Sequence, residues 1–466
     1  MDLSWMLGHA KTSFHHSPGP ILLSKKAGSD IPLSNLCRTV TPPCRLNPFL
    51  FNGHLQTAYT AIKEEGPPII YKRKIFNAED PDFAGTFAVD FVVHDASKEQ
   101  DDSLPPRTTY YSDDEFAEIR SLDSKPMLIS LHGLSGGSHE IYLRHVLAPL
   151  VTEEAGWAAL VVNSRGCAMS KITTGILYNA RATWDVRQVV KWCREAFPNR
   201  PLFGIGYSLG ANILTNYLGE EGSNCLLQAA VVCSNPWKLE VSSLALQRTW
   251  LGSEVYSKTM GNNMKKLFET HVDQICKNPR INVERVRSVK YLHEFDRELQ
   301  GPTWGYPTEG AYYRDASSAD SLLAIQIPLF ALHAEDDPIA VKEAIPYEEF
   351  EQNPYTVLCT TTTGGHLSWF ESGGQRWFAR PVSPLFRCMP NPTNTMFLNH
   401  TYKGISILTH RQAVNFLQKM AKEIDFEATN KRLLLRNANG SAMPNADAQK
   451  TPFVFEPMRR KLHIPS

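Results

Sequence analysis

The chain has no excess of either charge sign: lysine plus arginine number 48 and aspartate plus glutamate 48 among 466 residues. It therefore lacks the positive field that tracks a phosphate backbone or an anionic bilayer, and nucleic acid is not an expected partner. Paired cysteine motifs are also missing. The nine cysteines (Cys37, Cys44, Cys167, Cys193, Cys225, Cys233, Cys276, Cys359 and Cys388) are scattered, odd in number and never spaced Cys-x-x-Cys. That pattern suits reduced intracellular thiols and argues against a disulfide framework or a zinc site. Long apolar runs are absent, since the stretches Met127 to Leu131 and Trp157 to Val162 fall far short of the roughly 20 residues that span a bilayer. The N-terminus offers only Leu3 to Leu7 before Gly8 and His9, which does not make a signal peptide. The ending His463-Ile464-Pro465-Ser466 carries neither a prenylation box nor a peroxisomal address. These absences predict an intracellular protein, cytoplasmic or lipid-associated, with at most peripheral membrane contact.

What is present begins with short apolar runs. Met127 to Leu131, Ala158 to Val162, Leu202 to Gly206, Ala229 to Cys233, Ile327 to Leu332 and Val357 to Cys359 are bounded by turn formers or charged residues. Continuous apolar character predicts strands covered on both faces. Between the second and third, Val186, Val189, Val190, Cys193 and Phe197 recur at helical spacing, and another helix is predicted from Leu209 to about Leu218. Alternating strands and helices with right-handed crossovers predict an α/β architecture with a mostly parallel central sheet and helices on both faces. Thr86 to Val93 alternates, with Phe87, Val89, Phe91 and Val93 on one side, which predicts an antiparallel strand near a sheet edge. Nearly a hundred residues separate Cys233 from Ile327, more than a crossover needs, so about 234–325 is expected to form a helical cap insertion, with helices over Glu240 to Trp250 and Val283 to Leu299. Residues 1–45 read as an N-terminal arm that wraps the main domain of 46–427 or is partly disordered, and 428–466 as an extended or disordered tail.

The residues able to carry chemistry lie at strand ends. Gly206-Tyr207-Ser208-Leu209-Gly210 matches the Gly-x-Ser-x-Gly nucleophile elbow and sits between a predicted strand and a predicted helix. Glycines are required because the serine occupies a strained turn against neighbouring backbone. A serine hydroxyl needs an imidazole to take its proton and a carboxylate to orient the imidazole. Ile327 to Leu332 is followed by His333-Ala334-Glu335-Asp336-Asp337-Pro338, and Val357 to Cys359 by Thr363-Gly364-Gly365-His366, which supplies acid and base in the chain order Ser, Asp, His. Two aspartates compete for the acid role. Asp337, directly before the proline, is preferred, which leaves Asp336 to hold the loop. Oxyanion donors, worth roughly 3 kcal/mol each, are expected from the backbone amides of Leu209 and of Leu134 in the turn Leu131 to Gly137. Those glycines lack the spacing of a nucleotide loop, and no His-Glu-x-x-His cluster is present, so no cofactor and no metal is expected. Trp237, Leu239, Val241, Leu244 and Leu246 could line an acyl pocket or simply pack the cap.

Several separated stretches together resemble the YheT-like branch of the α/β hydrolases. They are Asn47-Pro48 with Asn52-Gly53-His54-Leu55-Gln56-Thr57, the His132-Gly133 turn, Asn163-Ser164-Arg165-Gly166-Cys167, the elbow, Tyr312-Tyr313-Arg314-Asp315-Ala316-Ser317-Ser318, Asp336-Asp337-Pro338 and Gly364-Gly365-His366. That branch includes fungal medium-chain fatty acid ethyl ester synthase/esterases (alcohol acyltransferases) and animal abhydrolase-domain lipases. The resemblance spans roughly Asn47 to Leu417 and implies an α/β-hydrolase fold with Ser208 as nucleophile, Asp337 as orienting acid and His366 as base. It implies a structural role for the Asn-Gly-His-Leu-Gln-Thr stretch, so His54 is not placed in the site. Many animal relatives carry an N-terminal membrane helix that has no counterpart here, which leans the expectation towards the fungal type.

The expected activity is acyl transfer through an acyl-enzyme, from an ester or acyl-CoA to water or an alcohol, with medium-chain acyl groups implied by resemblance. The alternatives are a tailoring enzyme for a larger acylated metabolite and a hydrolase-like fold kept only for binding.

Overall fold

Strictly alternating burial on two faces organises the molecule. The computed structural model describes residues 8–62, 66–94, 101–379 and 412–438, with side chains as far as 434. The strands of the main sheet are, in chain order, β1 Thr12–His15, β2 Ile70–Asn77, β3 Thr86–Val93, β4 Thr108–Tyr110, β5 Met127–Leu131, β6 Ala158–Asn163, β7 Leu202–Tyr207, β8 Ala229–Cys233, β9 Leu329–Ala334 and β10 Thr356–Thr361. Across the 10-stranded sheet they run β1-β10-β9-β8-β7-β5-β6-β3-β2-β4. The central strands from β10 to β6 are mutually parallel, as the apolar runs predict. Met127, Ile129 and Leu131 enter one core, with the helices Thr183–Ala196 and Leu209–Glu221, whereas Leu128 enters the other, with Ile141–Leu150 and Gln412–Glu423. Each fully buried Leu or Val contributes about 1.5–3 kcal/mol, so the two faces together fix the register of every central strand.

β5 lies between β6 and β7. The chain moves one way across the sheet from β5 to β6 and the other way from β7 to β10. Loops that leave adjacent strands in opposite directions open a crevice at their carboxyl ends, where ligands bind in such sheets. The turn after β5 and the loop after β7 meet there.

Several segments depart from the sequence reading. Thr86–Val93 is antiparallel to both neighbours, but β2 and β4 lie outside it, so it is not near the edge. The N-terminal arm is built into the fold: β1 pairs with β10, and the helix Leu33–Val40 buries Leu33, Leu36, Cys37 and Val40. The tail expected to be extended from residue 428 instead starts inside a helix, Phe426–Ala438. Its polar composition hides a tertiary anchor, because Thr429 Oγ1 accepts the Ser24 N–H at 2.9 Å and Arg432 pairs with Asp30. Residues 439–466 lie outside the described residues.

The insertion between β8 and β9 is helical, with Leu239–Arg248, a π-helical turn Leu251–Ser257 and Lys258–Thr270 as its first elements. The helix expected over Val283 to Leu299 is broken, since Val289 is extended (φ −64°, ψ 147°) and separates Val283–Ser288 from Leu292–Phe295. Among the described residues no helix is long and apolar enough to cross a membrane. The described cysteines are all free, and Cys388 lies outside the described residues.

Candidate active site

Ser208 follows β7 directly and stands before the first turn of Leu209–Glu221 with φ 51° and ψ −118°, a conformation that non-glycine residues hold only when their surroundings impose it. Here its N–H donates to the Cys233 carbonyl at 2.9 Å, and its own carbonyl accepts the N–H groups of Ala211 and Asn212. A Cβ on Gly206 would lie 2.5 Å from the Gly210 carbonyl oxygen, and one on Gly210 would lie 2.4 Å from the carbonyl oxygens of Leu131 and His132. Both glycines of the elbow are therefore steric necessities.

The structure brings Ser208, His366 and Asp337 together from three loops. Ser208 Oγ is 2.8 Å from His366 Nε2, and His366 Nδ1 is 2.8 Å and 3.0 Å from the two carboxyl oxygens of Asp337. Asp337 is buried, and its Oδ1 also accepts the N–H groups of Ile339 at 2.8 Å and Ala340 at 2.9 Å. Burial opposes its charge, yet the facing His366 and His333 and these amides together hold the carboxyl below the ordinary carboxylate range.

Asp336 has a different environment. Its Oδ1 accepts the N–H groups of Gly364 at 2.8 Å and Gly365 at 3.0 Å, so it ties the aspartate loop to the histidine loop. Burial pushes its carboxyl up to about 6, with Asp337 next to it adding to the rise.

The segment Gly53–Ile62 clamps the same histidine loop. Thr57 Oγ1 accepts the His366 N–H at 2.9 Å, and Gln56 Oε1 accepts the Phe370 N–H at 2.7 Å. A Cβ on Gly53 would lie 1.9 Å from the Asp336 carbonyl oxygen, so only glycine lets the two chains approach this closely. His54 points elsewhere, with Nδ1 2.9 Å from the Tyr256 hydroxyl of the cap and the two rings stacked at 5.7 Å.

The turn after β5 lies against the serine: a Cβ on Gly133 would be 3.4 Å from Ser208 Cβ. Gly133 N–H donates to the Tyr142 hydroxyl at 2.8 Å and Ser135 N–H to the Tyr178 hydroxyl at 2.9 Å. Both neighbours of Leu134 thus have their amides occupied, while Leu134 and Leu209 line the same cleft as Ser208. The Leu209 amide opens a helix, where the first N–H groups have no intrahelical acceptor. The buried His132 braces the turn from below, with Nδ1 2.7 Å from the Gly133 carbonyl and Nε2 3.0 Å from the Ser164 N–H. Burial pushes its imidazole down to about 4, so it stays neutral, with one nitrogen donating and the other accepting.

The cleft over Ser208 measures about 770 Å³ including its open mouth. Its apolar wall includes Leu209, Leu239, Leu246, Met260, Met264 and Leu292, so the cap inserted after β8 supplies most of it. Of the cap residues singled out in the sequence, Leu239 and Leu246 line the cleft, Leu244 faces outward, and Trp237 is buried in the core against Phe350. Thr57, Tyr142 and Tyr178 are the site's unforeseen supports. Only Thr57 carried a signal, through the Asn-Gly-His-Leu-Gln-Thr stretch. Among the described residues no group of three or more His, Cys, Asp or Glu is placed to hold a metal ion.

The model of the alpha/beta hydrolase fold family matches residues 126–371. A monoacylglycerol lipase from Saccharomyces cerevisiae is 38% identical, over 72% of this chain and 78% of its own length. A medium-chain fatty acid ethyl ester synthase/esterase 2 from the same yeast is 31% identical, over 73% of this chain and 85% of its own length. The phospholipase ABHD3 of Mus musculus is 30% identical, over 73% of this chain and 76% of its own length. The fold, the family model and these relatives agree, and the chain belongs to the α/β-hydrolase fold family, in the abhydrolase-domain group that contains these lipases and esterases.

Proposed function

We propose that this hydrolase is a serine esterase that cleaves carboxylic esters of medium-chain fatty acids through an acyl-enzyme on Ser208. The observation that carries the reading is the continuous hydrogen-bonded line from Ser208 Oγ through His366 to the buried Asp337. His366 Nε2 takes the hydroxyl proton as Oγ bonds to the ester carbonyl carbon, and Asp337 stabilises the imidazolium that results. The amides of Leu134 and Leu209 hold the oxyanion. The carbon–oxygen bond to the alcohol then breaks, and His366 returns its proton to the leaving alkoxide. Water repeats the sequence in reverse and frees the acid.

An alcohol in place of water would give ester synthesis by the same steps, and the relative named as an ethyl ester synthase/esterase supports testing for it. The cleft's apolar wall suits an acyl chain, and the relative named for medium-chain esters supports an intermediate length. Purified protein should cleave p-nitrophenyl esters with an optimum at intermediate chain length and take up a fluorophosphonate probe, and Ser208→Ala should lose both. Equal labelling of wild type and Ser208→Ala would reject the assignment. Incubation with and without ethanol, following free acid against ethyl ester by mass spectrometry, separates hydrolysis from transfer.

A further inference from the structure

The loop that presents Asp337 is itself anchored from below. Strand β9 is apolar at Leu329, Phe330, Ala331, Leu332 and Ala334, and all of its residues are buried. His333 differs in kind, an imidazole only 1% exposed in the middle of the sheet. Its Nε2 lies 2.7 Å from the Ala340 carbonyl oxygen. A carbonyl only accepts, so this nitrogen carries the proton. Burial holds the imidazole below its ordinary range, although Asp337 nearby works against that, so the ring is neutral and Nδ1 is bare. The Ala340 N–H in turn donates to Asp337 Oδ1 at 2.9 Å, beside the Ile339 N–H at 2.8 Å. The Asp337 N–H returns to the Ala334 carbonyl at 3.1 Å. The loop from 334 to 340 is thus pinned at its start by a backbone bond and at its end by His333, with the carboxylate between.

Packing does not explain this imidazole. A leucine would fill the space and match the strand, whereas the buried Nδ1 of His333 has no hydrogen-bond partner among the described residues. An unpaired buried polar atom costs about 1–3 kcal/mol, so what the side chain contributes is the bond at Nε2. His333 does not line the cleft over Ser208, so it reaches an ester only through another residue. We propose that His333 is a positioning residue for acyl transfer: by holding the Ala340 carbonyl it fixes the aim of the Asp337 carboxylate at His366, and with it the stabilisation of the imidazolium formed as Ser208 attacks. This role rests on the esterase reading given above, with Asp337 as its orienting acid. Both carboxyl oxygens of Asp337 lie close to His366 Nδ1, at 2.8 Å and 3.0 Å, a contact that a small swing of the loop would lose. Misplacing a catalytic group by about 1 Å costs on the order of a hundredfold in rate.

The test is a double-mutant cycle in the full-length enzyme. His333→Leu removes the donor and keeps a side chain of similar bulk. With p-nitrophenyl octanoate it should lower kcat about tenfold to a hundredfold and leave KM within about twofold. In an Asp337→Asn background, where the carboxylate charge is already gone, the same change should lower kcat by less than about threefold. His333→Gln places an amide N–H near the position of Nε2 and should restore most of kcat. Equal losses in the two backgrounds, or a His333→Gln enzyme as impaired as His333→Leu, overturn the role, since a packing defect is blind to the charge on Asp337. If His333→Leu does not fold by circular dichroism, nitrogen NMR of the wild-type histidines decides. A His333 ring protonated at Nε2 alone between about pH 5 and pH 8 supports the role, and a proton on Nδ1 overturns it. If the wild type neither takes up a fluorophosphonate nor turns over, the esterase reading fails separately. The far-downfield proton signal of the bond between His366 Nδ1 and Asp337 then decides: its loss in His333→Leu with retention in His333→Gln supports the positioning role, and its persistence in His333→Leu overturns it.

Discussion

The Thr57 hydroxyl accepts the backbone N–H of His366 at 2.9 Å and donates to the Gly53 carbonyl at 2.7 Å. A residue far upstream of the hydrolase core thus fixes the height of the loop that presents the imidazole. Thr57→Val keeps the branched shape but leaves the His366 amide without its acceptor. The variant should lose about 1–2 kcal/mol of unfolding free energy in urea. It should also lower kcat severalfold with little change in KM, since the imidazole shifts while the acyl wall does not. Thr57→Ser should restore both, and a Thr57→Val enzyme with wild-type kcat would reduce the contact to packing alone.

Asp336 and Asp337 are adjacent but should respond oppositely to amidation. Asp337→Asn removes the charge facing His366 Nδ1 and should cost roughly 10⁴ in kcat, by comparison with the same change in serine proteases. Asp336→Asn keeps an oxygen for the amides of Gly364 and Gly365 and should retain most of kcat. Its signature is in stability. The folded carboxyl titrates at about 6 against an ordinary value of 3.8, so the unfolded chain releases its proton first. Between about pH 4 and pH 6 the folded state binds more protons than the unfolded one, and stability falls as pH rises, by about 3 kcal/mol in total. Asp336→Asn lacks this dependence, so its urea midpoint should gain on wild type across that window and run parallel to it above. A constant gap from pH 4 to pH 7 would contradict the buried environment of Asp336.

The sequence shows the central strands and the Ser208, Asp337 and His366 loops because each depends on local pattern: an apolar run, then a glycine or proline turn carrying the candidate residue. The helix Leu33–Val40 also has a pattern, with Leu33, Leu36, Cys37 and Val40 at three and four residue steps, but its polar flanks hide it. β2 is obscured for a different reason. Lys72, Arg73 and Lys74 suggest a surface, and nothing local reveals that Arg73 is buried opposite Asp90. The support beneath Asp337 is the least legible part, since His333 gains meaning only from the contact of its Nε2 with the Ala340 carbonyl.

The turn proposed to offer the Leu134 amide to the oxyanion makes a sharper demand on its phenols than packing would. Tyr178 accepts the Ser135 N–H, and Ser135 itself is held at φ 53°. Tyr178→Phe keeps the ring and leaves that amide unpaired, free to reorient together with the neighbouring Leu134 amide. The expected result is a fall in kcat of roughly tenfold to a hundredfold with KM largely kept, because an oxyanion donor acts on the transition state rather than on the bound ester. Affinity for a boronate transition-state analogue should fall in proportion. A variant that loses only KM would point to Tyr178 as a wall of the acyl cleft instead.

Arg73 and Asp90 form a fully buried pair at 2.6 Å and 2.8 Å, and Asp90 Oδ2 also accepts Ser138 Oγ and Asn163 Nδ2. Arg73 completes the network by donating to the Ala168 carbonyl at 2.8 Å. Ser138 ends the turn that carries Leu134, and Asn163 opens the loop that braces His132, so this buried charge pair supports the turn proposed to hold the oxyanion. Arg73→Met should cost roughly 3–5 kcal/mol, because it strands the Asp90 charge away from water. Adding Asp90→Asn to Arg73→Met removes that charge while keeping an acceptor for Ser138, so the double variant should be more stable than Arg73→Met alone. Urea denaturation of the four-member cycle measures the coupling. Additive effects would mean that the two residues act independently, and that the loops at Ser138 and Asn163 draw their rigidity from elsewhere.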